Sequence, residues 1–113
     1  MADSGKGKRL IVGMLSHTQR GVLRWHEGVD GVTFVTELGS HTLSVSELDG
    51  TAAGPDYVLD LATPDGKIVE SLFSDASGGE LRGPLRSLYE AARGSARGSE
   101  EVVDELLAAL DAA

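Results

Sequence analysis

Cysteine is absent from this chain. Its absence excludes disulfides, thiolate zinc sites, iron–sulfur clusters and a cysteine nucleophile, and it fits a reducing, cytoplasmic setting. Aromatics are scarce: one Trp, two Tyr and two Phe, so each carries a large share of whatever core forms. No run approaches the roughly 18 apolar residues of a membrane-spanning helix, so no membrane partner is expected. Lysines and the short apolar run LIVGML lie near the amino end, but no convincing cleavage site follows, and no signal peptide is expected.

Positive charge is also in deficit. Ten basic side chains face 18 acidic ones, a net charge of -8. The imbalance is uneven. Up to His26, Lys6, Lys8, Arg9, Arg20 and Arg24 stand against Asp3 alone; the rest of the chain has 5 basic and 17 acidic groups. An acidic body repels phosphate backbones, whose neutralisation dominates nucleic-acid affinity, so no nucleic-acid partner is expected. The basic amino segment reads as the solvated side of a helix docked on an acidic body. At 113 residues the chain forms one domain, 1–113, with an expected radius of gyration of about 13 Å.

The clearest local signal is YVLDLATPDGKIVESLFSD, Tyr57 to Asp75. Pro64 presets the first turn residue, Asp65 tolerates the second, and Gly66 accepts a positive φ at the third. This predicts a hairpin with a three-residue loop. Leu61 then lies near Val69 and Tyr57 near Phe73. Tyr57, Leu59, Leu61, Val69 and Phe73 share one face; Val58, Asp60, Ile68, Glu70 and Leu72 share the other. A two-residue Asp65-Gly66 turn would shift the pairing by one and exchange faces on one strand.

Around the hairpin the periodicities give an element order. Leu10, Ile11, Met14 and Leu15 have helical spacing over Lys6 to about Gln19, with Ser4 as a candidate cap and Gly21 as a stop. Residues 1–5 read as flexible. Val22 to Trp25 reads either as a last helical turn or as a short strand. GVTFVTEL (31–38) and HTLSVSEL (41–48) alternate as half-buried strands. Residues 49–55 and 74–80 read as flexible loops. Pro84 opens a helix with the stripe Leu85, Leu88, Tyr89 and Ala92. Ser95 to Gly98 breaks that pattern, and Ser99 caps a last helix with the stripe Val103, Leu106, Leu107 and Leu110. The expected fold is therefore α+β: an N-terminal helix, a four-stranded antiparallel β-meander and two C-terminal helices, packed mainly on one sheet face.

The run from Leu23-Arg24-Trp25 through YVLDLATPDGKIVESL to LRSLYEAARGSARGSEEVVDELLAAL resembles a set of small cytosolic actinobacterial proteins. In that set a tryptophan-containing lead-in precedes an antiparallel meander with an Asp-Gly turn. A helix of the form L-x-x-L-Y-x-x-A-R and an acidic terminal helix follow. The likeness spans about residues 20–112. It implies the same element order and an accessory place beside bacterial defence or signalling systems, and it supplies no catalytic residue.

The chain offers little to a chemist. His17, His26 and His41 lack the short spacing of zinc ligands. Ser16-His17 and Ser40-His41 are sequence neighbours, which rarely hold the geometry of proton abstraction, and no Gly-x-Ser-x-Gly elbow exists. Gly5-Lys6-Gly7-Lys8 lacks the glycine and hydroxyl spacing of a phosphate loop. Asp60 lies between Leu59 and Leu61, but strand neighbours point to the opposite face. No catalytic, metal or cofactor residue is assigned.

The remaining candidates are surfaces. Trp25, the sole tryptophan, reads either as a binding anchor or as a plug at the end of the sheet. Leu106, Leu107 and Leu110, with Val103, must bury their stripe on the chain's own sheet or on another protein. Val58, Ile68 and Leu72 offer a second sheet face to an isologous dimer. The function expected is a non-enzymatic, acidic protein-interaction module (adaptor, inhibitor or regulator) that binds a protein partner or itself, with acidic rim charges selecting a basic partner. The alternative is a small-ligand binder or enzyme whose site the sequence does not reveal.

Overall fold

The computed structural model describes residues 3–51, 54–75 and 79–112. The element order is α1 (Asp3–Gln19), β1 (His26–Glu27), β2 (Thr33–Leu38), β3 (His41–Thr51), β4 (Gly54–Ala62), β5 (Ile68–Phe73) and α2 (Arg82–Ala112). The five strands form one antiparallel sheet in sequence order. The α+β class and the meander hold.

The strand count does not: five strands form rather than four. Residues 22–25 are neither helix nor strand, and the added strand, β1, pairs His26 with Val35 and Glu27 with Phe34. A two-residue strand is too short to leave an alternation in sequence. Every described residue of 49–55 is strand, with Thr51 opposite Gly54 and a register irregularity after Leu48. Residues 52–53 and 76–78 of the two expected loops lie outside the described residues, as do residues 1 and 2. α1 begins at Asp3 rather than Lys6, since Asp and Ser suit a first helical turn.

The hairpin turn has the expected three-residue loop. Thr63 N–H donates to Lys67 O at 2.9 Å, Gly66 N–H donates to Thr63 O at 2.8 Å, and Gly66 has φ 90°. Ala62 then pairs with Ile68, but Leu61 pairs with Glu70. Val69 is an extra residue in β5, a bulge. Beyond it the ladder runs one residue away from the expected one: Leu59 faces Leu72 and Val58 faces Phe73. Leu72 therefore joins the inner face, and Phe73 joins the outer face with Val58.

One inner face carries the core. Phe34, Val45, Leu43, Tyr57 and Leu59 of the sheet meet Ile11 and Met14 of α1 and Leu85, Leu88, Tyr89, Ala92 and Ala96 of α2. Tyr89 centres an aromatic cluster, with ring centroids 5.4 Å from Phe34 and 5.3 Å from Tyr57. These three and Trp25 are buried, and Phe73, the fifth aromatic, is substantially exposed, at 44%.

Two C-terminal helices were expected; a single 31-residue helix is found. Ser95 to Gly98 stays helical although Gly98, like Gly94 just before it, costs about 1 kcal/mol relative to alanine. Tertiary contacts offset that cost. Ala96 is buried, Ser95 Oγ accepts from Trp25 N–H at 3.1 Å, and Arg97 pairs with Glu27 at 3.5 Å.

Candidate functional site

The sheet cannot cover all of α2. Five strands at about 4.8 Å spacing give an inner face roughly 20–25 Å wide, whereas 31 helical residues span about 46 Å. Residues up to about Ala96 pack on the core; beyond them, every described residue from Val102 to Ala112 is exposed. The molecule is correspondingly long, 59 × 35 × 25 Å, with a radius of gyration of 15.5 Å against about 13 Å for a compact domain of this length.

The exposed part of α2 is amphipathic. Val103, Leu106, Leu107 and Leu110 are 54%, 61%, 55% and 72% exposed. Their i, i+3, i+4, i+7 spacing places them on one stripe. Asp104 and Asp111, seven residues apart, border one edge of it. No basic residue occurs between Ser99 and the end of the chain. A hydrophobic stripe in water with one anionic edge is a form that groove-binding helices take.

The other candidate positions fare differently. Trp25 is only 3% exposed. Its indole N–H donates to Thr18 Oγ1 at 2.9 Å and its backbone N–H to Ser95 Oγ, so it ties α1 to α2 and leaves the candidate surface. Its burial follows from the gap between the two helices at the end of the sheet. Val58, at 6%, is shielded on the outer face. Leu72 is withdrawn from that face by the Val69 bulge and packs against the core. Ile68 remains there, 56% exposed, with Phe73. Between them Ser71 Oγ donates to Asp60 Oδ1 at 2.6 Å, so a polar pair interrupts the patch. The structure thus brings Val103, Leu106, Leu107 and Leu110 together and separates Trp25, Val58, Ile68 and Leu72.

A second feature was not read from sequence. Three adjoining open apolar depressions, all lined by Leu10, form a groove beside α1. Leu10 lines its whole length, together with Met14, Leu23, Leu38 and Leu61 at successive points. Its largest section has a volume of about 380 Å³ and is bordered by Arg9, His17 and Glu37. At the other end it is bordered by Lys6, Glu70 and Leu72. The groove arises because α1 and the first half of α2 share one sheet face, and no sequence period reports the space left between elements.

Several titratable groups bond to the backbone or hydroxyls of nearby turns and helix. His17 Nδ1–H donates to Gly13 O at 2.9 Å, one turn back on α1. Asp30 is held below the usual aspartate range by the Thr33 hydroxyl and by the N–H groups of Val32 and Thr33; it caps the turn into β2. The Thr63 hydroxyl, bonded to the Asp65 carboxylate, lowers Asp65 likewise at the hairpin. Burial, then the nearby Glu47 charge, raises both Tyr57 and Tyr89. Among the described residues no group of three His, Asp or Glu side chains could hold a metal ion, and no helix is long and apolar enough to cross a membrane. No family model, curated protein or solved structure matches the chain.

Proposed function

We propose that this chain is a small acidic protein-interaction module, an adaptor, inhibitor or regulator, that works by laying the end of α2 into an apolar groove with basic rim charges. One observation carries the reading: four large aliphatic side chains on one helical stripe are more than half exposed, beyond a core that is already filled. Full burial of a Val or Leu side chain contributes about 1.5–3 kcal/mol. A stripe of four therefore offers enough to offset a substantial part of the cost of association. Asp104 and Asp111, on the edge of the stripe, set the partner's sign. Acidic rims steer encounter with basic surfaces and repel acidic ones.

A photo-crosslinking side chain placed at Leu107, and for comparison at Glu105 on the far side of the helix, tests the reading in the native cytoplasm. Protein adducts from position 107 that vanish when Leu106→Asp and Leu110→Asp are added are the expected result. Adducts that persist in that background, or none from position 107, would remove the helix as the working surface.

A further inference from the structure

We propose that the groove along α1 receives the end of α2 from a second copy of this chain, so that two molecules exchange helices. The inference rests on the reading of that helix as a docking element, and it names the partner.

Three observations select this occupant. The first is fit. The groove follows α1 from Gly7 to His17, about 15 Å at helical rise. The stripe from Val103 to Leu110 spans about 10 Å on the same measure. The groove floor is aliphatic, Leu10, Leu38, Leu43 and Leu61, and the stripe is aliphatic. The second is charge. The exposed end of α2 carries acidic residues and no basic ones. The α1 wall of the groove presents Lys6 and Arg9, with Lys8 exposed beside them; Glu37 and Glu70 sit on the opposite wall, at its two ends.

The third is connectivity. α2 is continuous from Arg82 to Ala112, so its end leads away from the globule that it helps to build. It enters its own chain's groove only if the helix breaks. A second copy needs no break, and the same contact made twice about a two-fold axis closes the assembly at two chains.

The experiment is charge reversal with rescue, read by sedimentation velocity and light scattering over a wide concentration range on the full chain. The native protein is expected to reach the mass of two chains. Lys6→Glu with Arg9→Glu, on the groove wall, is expected to weaken the dimer about tenfold or more. Asp104→Lys with Asp111→Lys, on the helix, is expected to do the same. Mixing the two charge-reversed proteins, or combining all four substitutions in one chain, restores opposite signs between the helix and the α1 wall of the groove and is expected to restore dimerisation.

A strictly monomeric native chain overturns the inference. So does a dimer that the helix reversal weakens and the groove reversal leaves unchanged. In that second result the helix still docks and the reading of it as an interaction element stands, with the groove removed. Folding of each variant is checked by its melting profile, and the rescue pair keeps the outcome decisive if one reversal alone is poorly behaved.

Discussion

The indole N–H of Trp25 donates to Thr18 Oγ1 at 2.9 Å, and that same hydroxyl donates to Met14 O at 2.7 Å. The single tryptophan is thus anchored on the last turn of α1 by a residue with both a donor and an acceptor to give. All atoms of this relay lie in buried residues.

Thr18→Val keeps the shape and leaves the indole N–H without its acceptor. A buried donor left unsatisfied costs about 1–3 kcal/mol. The unfolding free energy is expected to fall by an amount in that range, with a lower melting midpoint, and Thr18→Ser is expected to stay close to native. Trp25→Phe in the Thr18→Val background is expected to cost less than the sum of the two single changes, because both partners are then gone. Strict additivity in calorimetry would remove the bond from the account.

Ser74 makes the same point at the other end of the sheet. It is fully buried. Its Oγ accepts from Tyr57 N–H at 2.9 Å and faces Asp56 Oδ1 at 3.3 Å, while Asp56 pairs with Arg82 at 2.8 Å. Ser74→Ala is expected to destabilise by about 1–3 kcal/mol, since Tyr57 N–H loses its partner. Arg82→Ala breaks a partly exposed pair and is expected to cost about 1 kcal/mol or less. Chemical denaturation of the two variants, side by side, tests the order.

pH acts through two pairs of groups with opposite signs. Asp30 and Asp65 are depressed in the folded chain. Their contribution is present above the unfolded aspartate value of about 3.9 and is lost as pH falls through their lower folded values. Carboxyl carbon shifts should show both titrating below the usual aspartate range. Tyr57 and Tyr89 are raised. Their contribution is present below about 10 and is lost as pH rises through the folded values. Phenolate absorbance and loss of tertiary signal are expected to appear together in alkali; ionisation well before unfolding would contradict the burial of these rings.

Much of this fold was legible because local chemistry decided it. Pro64, Asp65 and Gly66 specify their turn whatever surrounds them, and Leu10, Ile11, Met14 and Leu15 can share a face only in a helix. The register beyond the turn was not legible. Leu72 and Phe73 are adjacent and both apolar, so either can face the core, and the bulge at Val69 that chooses between them leaves no residue signature. The unbroken α2 was hidden for a related reason. Gly94, Ser95 and Gly98 argue locally for a break, and contacts to Trp25 and Glu27, about 70 residues earlier, hold the helix. The stripe Val103, Leu106, Leu107 and Leu110 was plain in the spacing. Its exposure was not, because that depends on α1 and the first half of α2 having already taken the inner face.

Gly66→Ala tests the local part directly. At φ 90° an L-residue is strained, at about 1–2 kcal/mol. The expected result is destabilisation of that size in urea, with Asp65→Gly milder; an unchanged midpoint would mean that the turn relaxes to another type.

The central claim is that the end of α2 contributes to assembly and nothing to its own chain's core. Scanning calorimetry of the native chain and of Leu106→Asp with Leu110→Asp, each at a low and a high protein concentration, tests it most directly. The native midpoint should rise with concentration by mass action, the variant's should not, and the two should coincide when dilute. A variant that already melts lower in the dilute sample, or a native midpoint indifferent to concentration, would contradict the claim.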